Sequence, residues 1–251
     1  MDGYLKISAY DQSVGRPVSG ARIQVFAGGA PDKMLDELTT DDSGQTLEIT
    51  LPAPPIDYSL EPDQPQPYGL YDINVQARGF DDVEIKGVQI LPSKVSYQDV
   101  FLYPGEPDQY EEIIIPPNTL YGVYPQKTPE DTVKELPQSS GFVVLPEPVI
   151  PEYIIVHAGV PADASAPNYW VPFKDYVKNA ASSEIYSTWP AETIKANVLA
   201  IISLTLNRVF TEWYRNRGYD FTITNSTQFD QAFTYGRNIF ADISLVVDEI
   251  F

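Results

Sequence analysis

A chain of 251 residues is long enough for two modest domains, each with a core of its own. Sixteen lysines and arginines stand against 35 aspartates and glutamates, a formal charge of −19. That balance argues against nucleic acid as a partner and disfavours adsorption to an anionic membrane or wall polymer. With no cysteine and one histidine, His157, the sequence excludes disulfides, a thiolate nucleophile, Cys-type zinc sites and multi-histidine metal clusters, so no cofactor or metal is expected.

The first ten residues, MDGYLKISAY, have neither a basic start nor a long apolar run, so no secretory signal is expected. No run of about 18 apolar residues appears, so no membrane span is expected either. From residue 3 to 104 the stretches YLKISAY, ARIQVFA, TLEITL, YDINVQA and SYQDVFLY alternate apolar and polar side chains between turn-rich pieces, which predicts an all-β sandwich. The pair Asp41 and Asp42 sits in such a turn and reads as turn chemistry rather than a calcium site. Pro17, Val18, Gly20, Ala21, Ile23, Val25, Thr40, Gly44, Tyr71, Ile73, Val75, Ala77, Gly79 and Phe80 follow a pattern that resembles the carboxypeptidase regulatory-like family. The resemblance implies an Ig/transthyretin-like accessory module over 1–104 with no chemistry of its own.

Residues 105–151 hold nine prolines and a net charge of −6, which reads as an extended linker. Two apolar pieces, EEIIIPP and GFVVLPEPVIP, interrupt it and are expected along a domain surface. The polar KELPQSSG offers a place for a proteolytic cut; a plain interdomain tether is the other reading.

Residues 152–251 read as a mainly helical unit with a few strands, giving an α+β chain overall. YIIVH is a strand, and His157 within it is expected to be a satisfied polar side chain, since nothing near it forms a dyad. Phe173, Tyr176, Val177 and Ala180 mark one face of a short helix. Ile194, Val198, Ile201, Ile202, Thr205, Leu206, Val209, Phe210 and Trp213 mark one face of a long helix. Pro190 suits the first position of the long helix, and Arg215, Arg217 and Gly218 suit its end. Glu184 falls in the polar turn between the two. A carboxylate desolvated in such a corner, near Tyr186 and Trp189, would have a raised pKa and suit a general acid; the plainer reading is a solvated glutamate at a helix end. YDFTITNST alternates like a strand, and NIFADISLVVDEIF sets Ile239, Phe240, Ile243, Val246, Val247 and Ile250 on one helical face. An apolar helix ending on Phe251 suggests that the sequence is a piece of a longer protein.

FKDYVKNAASSEIYSTWPAETIKANVLAIISLTL resembles the catalytic segment of the stage II sporulation protein D family, lytic transglycosylases of peptidoglycan. Asp175, Tyr176, Val177, Glu184, Trp189, Pro190, Glu192, Lys195, Ala196 and Ala200 are in register with it, and Glu184 falls on the family's catalytic glutamate. Asn197, Ile202 and Ser203 depart from it, Ile202 standing where the family has Arg. LYGVYPQK, GFVVLPEP, IPEYIIVH, LNRVFTEWYRNRGYDFTITNST and YGRNIF are similar to the clostridial spore cortex-lytic enzymes, in which a germination protease removes an N-terminal prosegment. The resemblance implies an incomplete catalytic domain over 152–251 and a spore protein made in the mother cell without export. It implies cleavage between N-acetylmuramic acid and N-acetylglucosamine with Glu184 as acid and base, and Gln231 and Tyr235 lining a sugar groove with Tyr186 and Trp189. Phe233 and Tyr235 are equally well read as core aromatics. Because Asp175 and Glu192 remain conceivable second carboxyls, hydrolysis stays open beside transglycosylation. A non-catalytic spore or wall protein that keeps the fold is the alternative. In a third reading the β-domain itself binds a ligand.

Overall fold

Alternation over YLKISAY turns Leu5, Ile7 and Ala9 to one side of a strand, and all three are fully buried. That strand, β1 (Asp2–Asp11), runs parallel to β8 (Val95–Leu102) from Tyr4↔Val95 to Asp11↔Leu102. β2 (Arg16–Pro17) and β5 (Ile49–Pro52) pair antiparallel with its two ends. A second sheet has the order β4 (Ala30–Thr39), β3 (Arg22–Ala27), β6 (Gly69–Gln76), β7 (Asp82–Ile90) and β9 (Tyr110–Ile114), antiparallel except where β9 joins β7. Ile23, Val25, Ile73, Val75 and Ile85 of this sheet share one buried cluster with Leu5, Ile7, Val100 and Leu102 of the first, which makes a β-sandwich. Asp41 Oδ1 accepts the N–H groups of Ser43 and Gln45, and Gly44 takes φ +73°, so the acidic pair serves a turn.

The computed structural model describes residues 1–105, 110–117, 120, 126–128 and 144–251. It divides into two units whose boundaries differ from the sequence reading of 1–104, 105–151 and 152–251. The first holds Met1–Tyr121, Tyr186–Pro190 and Tyr235–Ser244; the second holds Gly122–Ile185, Ala191–Thr234 and Leu245–Phe251. Within the expected linker, the apolar piece EEIIIPP does lie against a domain: Tyr110–Ile114 adds an edge strand to β7, Ile113 packs on the sandwich core and Ile115 is buried. KELPQSSG lies outside the described residues. The helix expected from Asn238 onward starts late, because β13 (Ile239–Phe240) pairs antiparallel with β8 at Tyr97 and Ser96 before α3 (Ala241–Ile250) begins.

In the second unit β10 (Tyr153–His157) sits between β11 (Asn168–Pro172) and the two-residue β12 (Ile223–Thr224). α1 (Phe173–Glu184) buries Phe173, Tyr176, Val177 and Ala180 as the spacing predicts, and packs on α2 (Ala191–Phe210). Pro190 precedes α2 by one position, and the helix stops at Phe210, earlier than Arg215 and Gly218 suggested. The buried stripe of α2 is Ile194, Val198, Ile201, Thr205 and Arg208, one residue per turn. By length and composition α2, with a mean hydropathy of 1.2, is the one described helix apolar enough to cross a bilayer, where none was expected, and 28% of its apolar stretch is buried.

Candidate functional site

Glu184 is the last residue of α1, where Ile185 turns to an extended conformation. Its side chain is partly buried, and its Oε1 accepts the Ala232 N–H at 2.7 Å. Burial is the larger influence and pushes its pKa up from 4.5 to about 7 against the opposing pull of the Ala232 N–H and the Lys127 ammonium. A carboxyl poised near neutrality is suited to hold a proton and to give it up.

The segment that faces Glu184 is fixed residue by residue. Asn179, one turn earlier on α1, brackets Thr234: its Nδ2 donates to the Thr234 carbonyl at 2.8 Å and its Oδ1 accepts the Thr234 N–H at 3.0 Å. Gln231 Oε1 accepts the Tyr176 hydroxyl at 3.0 Å and lies 3.0 Å from Thr205 Oγ1. Asp230 Oδ1 accepts Arg208 Nε at 2.7 Å, and its Oδ2 accepts from the Tyr214 hydroxyl at 2.7 Å and from Thr224 N and Oγ1 at 2.9 and 2.8 Å. The Asp230 carboxylate thus accepts four hydrogen bonds while its side chain is fully buried.

These contacts place Gln231, expected beside a sugar, within the second unit. It is 5 % exposed, and its carbonyl oxygen is committed to Tyr176. Tyr186, Trp189 and Tyr235 belong to the first unit. Tyr186 is buried there and its hydroxyl accepts the Leu120 N–H at 3.1 Å, while Trp189 Nε1 donates to the Ser59 carbonyl at 2.6 Å; Tyr235 is partly exposed. Phe233, read alternatively as a core aromatic, is buried and stacks on Tyr176 with ring centres 5.9 Å apart. Asp175 is exposed in the first turn of α1, nine residues before Glu184, a rise of about 13 Å along a helix. That exceeds the spacing of the paired carboxyls of glycosidases, and Glu192 is exposed at the start of α2. His157 is satisfied, with Nδ1 2.8 Å from Asn168 Oδ1, Nε2 3.1 Å from the Val160 carbonyl, and its ring stacked on Phe221.

A cleft of about 220 Å³ opens elsewhere in the second unit, at the end of α2, between Leu145, Val149, Tyr153, Glu212, Trp213 and Arg215. Glu184 does not line it. No group of three or more His, Cys, Asp or Glu that could hold a metal ion occurs among the described residues. Asn179, Asp230 and the buried Arg208 were missed from the sequence; Arg208 could have been found, since it falls on the stripe of Ile194, Val198, Ile201 and Thr205.

No protein-family model matches the chain, and no curated protein matches it. Among solved structures, the Bacillus anthracis TIE protein is similar over 41% of this chain and 18% of its own, at 15% identity and a TM-score of 0.31. Klebsiella pneumoniae 5-hydroxyisourate hydrolase is similar over 41% of this chain and 92% of its own, at 18% identity and a TM-score of 0.28. The group B streptococcus pilus 2b backbone protein covers 41% of this chain and 42% of its own, at 16% identity and a TM-score of 0.28. This chain thus spans less than a fifth of the TIE protein and under half of the pilus protein, and none of the three likenesses transfers a function to it.

Proposed function

We propose that the chain is the precursor form of a spore cortex-lytic transglycosylase, with Glu184 as its acid and base. The observation that carries the reading is the Glu184 carboxyl, held at a helix end with a pKa raised to about 7 by burial, in the segment that resembles the stage II sporulation protein D family. In the proposed step, protonated Glu184 gives its proton to the oxygen between N-acetylmuramic acid and N-acetylglucosamine, and that glycosidic bond breaks. The Glu184 carboxylate then takes the proton of the muramoyl C6 hydroxyl as its oxygen bonds to C1, closing a 1,6-anhydro ring and restoring the acid. One carboxyl suffices, in keeping with the remoteness of Asp175 and the exposure of Glu192. The partners in this reading are peptidoglycan glycan strands and an activating germination protease, and the place of action is the spore cortex. The sandwich is read as the transthyretin-like accessory module.

The test is incubation of the full chain, before and after proteolytic activation, with purified cortex, followed by mass spectrometry of the soluble products. Anhydro-muropeptides that disappear in Glu184→Gln support the reading; reducing ends without anhydro ends replace transglycosylation by hydrolysis. A second reading, a non-catalytic wall or coat protein, is favoured by the bond from the Ala232 N–H to Glu184, which a purely structural glutamate would also accept. It predicts binding to cortex by both forms and release by neither.

A further inference from the structure

The first unit is built from two distant parts of the sequence. Met1–Tyr121 supplies the sandwich, and Tyr186–Pro190 and Tyr235–Ser244 complete it. The second part is not laid on loosely. β13 extends the first sheet by pairing with β8. Just before it, the Asn238 side chain imitates a strand: its Oδ1 accepts the Gln89 N–H at 3.1 Å and its Nδ2 donates to the Gln89 carbonyl at 2.8 Å. Gln98 Nε2 donates to the Gly236 carbonyl at 2.9 Å, and Lys94 pairs with Asp242. Gly236 has φ +70°, and a Cβ there would stand 2.7 Å from Ile113 Cγ2, so the backbone presses directly on that side chain. At Tyr186–Pro190, Thr188 Oγ1 donates to Ser59 Oγ at 2.7 Å and Trp189 Nε1 to the Ser59 carbonyl.

Burial makes these contacts costly to break. Asn238 is fully buried, Phe240 is 1 % exposed, Tyr186 2 % and Arg237 5 %, and on the sandwich side Gln98 is fully buried and Gln89 2 % exposed. Pulling the two segments out would bare Phe240 and Tyr186, remove both Asn238 bonds to the Gln89 backbone and remove the bond from Gln98 Nε2 to Gly236. We infer that the first unit is a two-piece assembly, so that a chain cut between Thr128 and Val144 stays a single particle and the sandwich is retained rather than released. Proteolysis there changes the connectivity of the molecule and not its composition. Discarding the sandwich would take further cuts beside Tyr186–Pro190 and Tyr235–Ser244, or unfolding. No chemistry at Glu184 is needed for this retention.

The experiment uses the full chain with an N-terminal affinity tag and a recognition sequence for a site-specific protease inserted between Thr128 and Val144. A second variant carries the insertion at another point of the same interval, so that one insertion that fails to fold is not decisive. After complete cleavage, both pieces are expected to elute together at the volume of the uncut chain and to be captured together by the tag, separating only in denaturant. The Gln89 amide is expected to keep the hydrogen-exchange protection it has in the uncut chain. Elution of a folded N-terminal piece alone in native buffer, or loss of protection at Gln89 on cutting, overturns the inference.

Discussion

Replacing Glu184 by Gln tests the site without asking for activity. The folded chain holds the Glu184 proton up to about pH 7, whereas the unfolded chain releases it near 4.5. Below pH 4.5 both states are protonated and burial of the carboxyl costs little. Between those values the unfolded state has lost a proton that the folded state keeps, so stability falls as pH rises, and above pH 7 the full penalty of a buried carboxylate is present. The gap between 4.5 and about 7 corresponds to about 3 kcal/mol at 1.36 kcal/mol per pH unit. Glutamine has the same shape, keeps an oxygen for the Ala232 N–H and never ionises. The variant is therefore expected to match the wild type at pH 4 and to exceed it by about 3 kcal/mol at pH 8.5. Urea unfolding of both proteins across that range, followed through the amide of Ala232, measures the difference; other titrating groups cancel between the two chains. A difference that does not change with pH, or a wild type that gains on the variant above pH 7, refutes the raised proton affinity of Glu184.

Cleavage of cortex by the active form is expected to fall as pH rises through about 7, because the acid must carry its proton; a rate that climbs through that range assigns the chemistry to another group. Asp230→Ala strands the buried Arg208 guanidinium and should destabilise the second unit by roughly 3–5 kcal/mol, measured by urea unfolding, whereas a loss below about 1 kcal/mol would mean the pair is not buried. Asn179→Ala removes both bonds to Thr234 and should let water reach Glu184; since burial outweighs the Ala232 bond, its pKa is expected to move down toward 4.5, readable by carboxyl NMR. Gly236→Ala combines a positive φ with a Cβ 2.7 Å from Ile113 and should lower the unfolding temperature of the first unit in a calorimetric scan.

Most of the sandwich could be read from the sequence because its strands keep a period of two with one face in the core, as Leu5, Ile7 and Ala9 do. Strand β4 gave no such signal: Pro31 to Asp36 are exposed throughout, and the strand exists through its backbone pairing with β3. β13 was hidden for the opposite reason. Ile239 and Phe240 fit the helical stripe of the residues after them, and only pairing with β8, far away in sequence, makes them extended. Glu184 itself was marked by resemblance, but its partner is a backbone N–H 48 residues on, which no side-chain pattern announces. The bond from the Tyr176 hydroxyl to Gln231 was hidden for a related reason: an amide beside two aromatics looks the same in sequence whether it faces a sugar or a buried tyrosine.

The polar residues on the buried side of α2 explain why the second unit has one arrangement. An apolar stripe alone fixes the rotation of this helix poorly, since Leu199, Ile202 and Leu206 offer another face of similar character beside Ile194, Val198 and Ile201. Turning α2 to bury that other face would gain as much apolar area. It would also carry Thr205 away from Gln231 and Arg208 away from Asp230, leaving that carboxylate buried beside Tyr214 and Thr224 without its cation. An uncompensated buried charge costs more than a leucine gains, so the Arg208–Asp230 pair selects the rotation even where its net contribution to stability is small. The same selection sets residues 230 and 231, and through them the Ala232 N–H, against Glu184. The environment that raises the Glu184 proton affinity is thus held in place by an ion pair between α2 and the segment after β12.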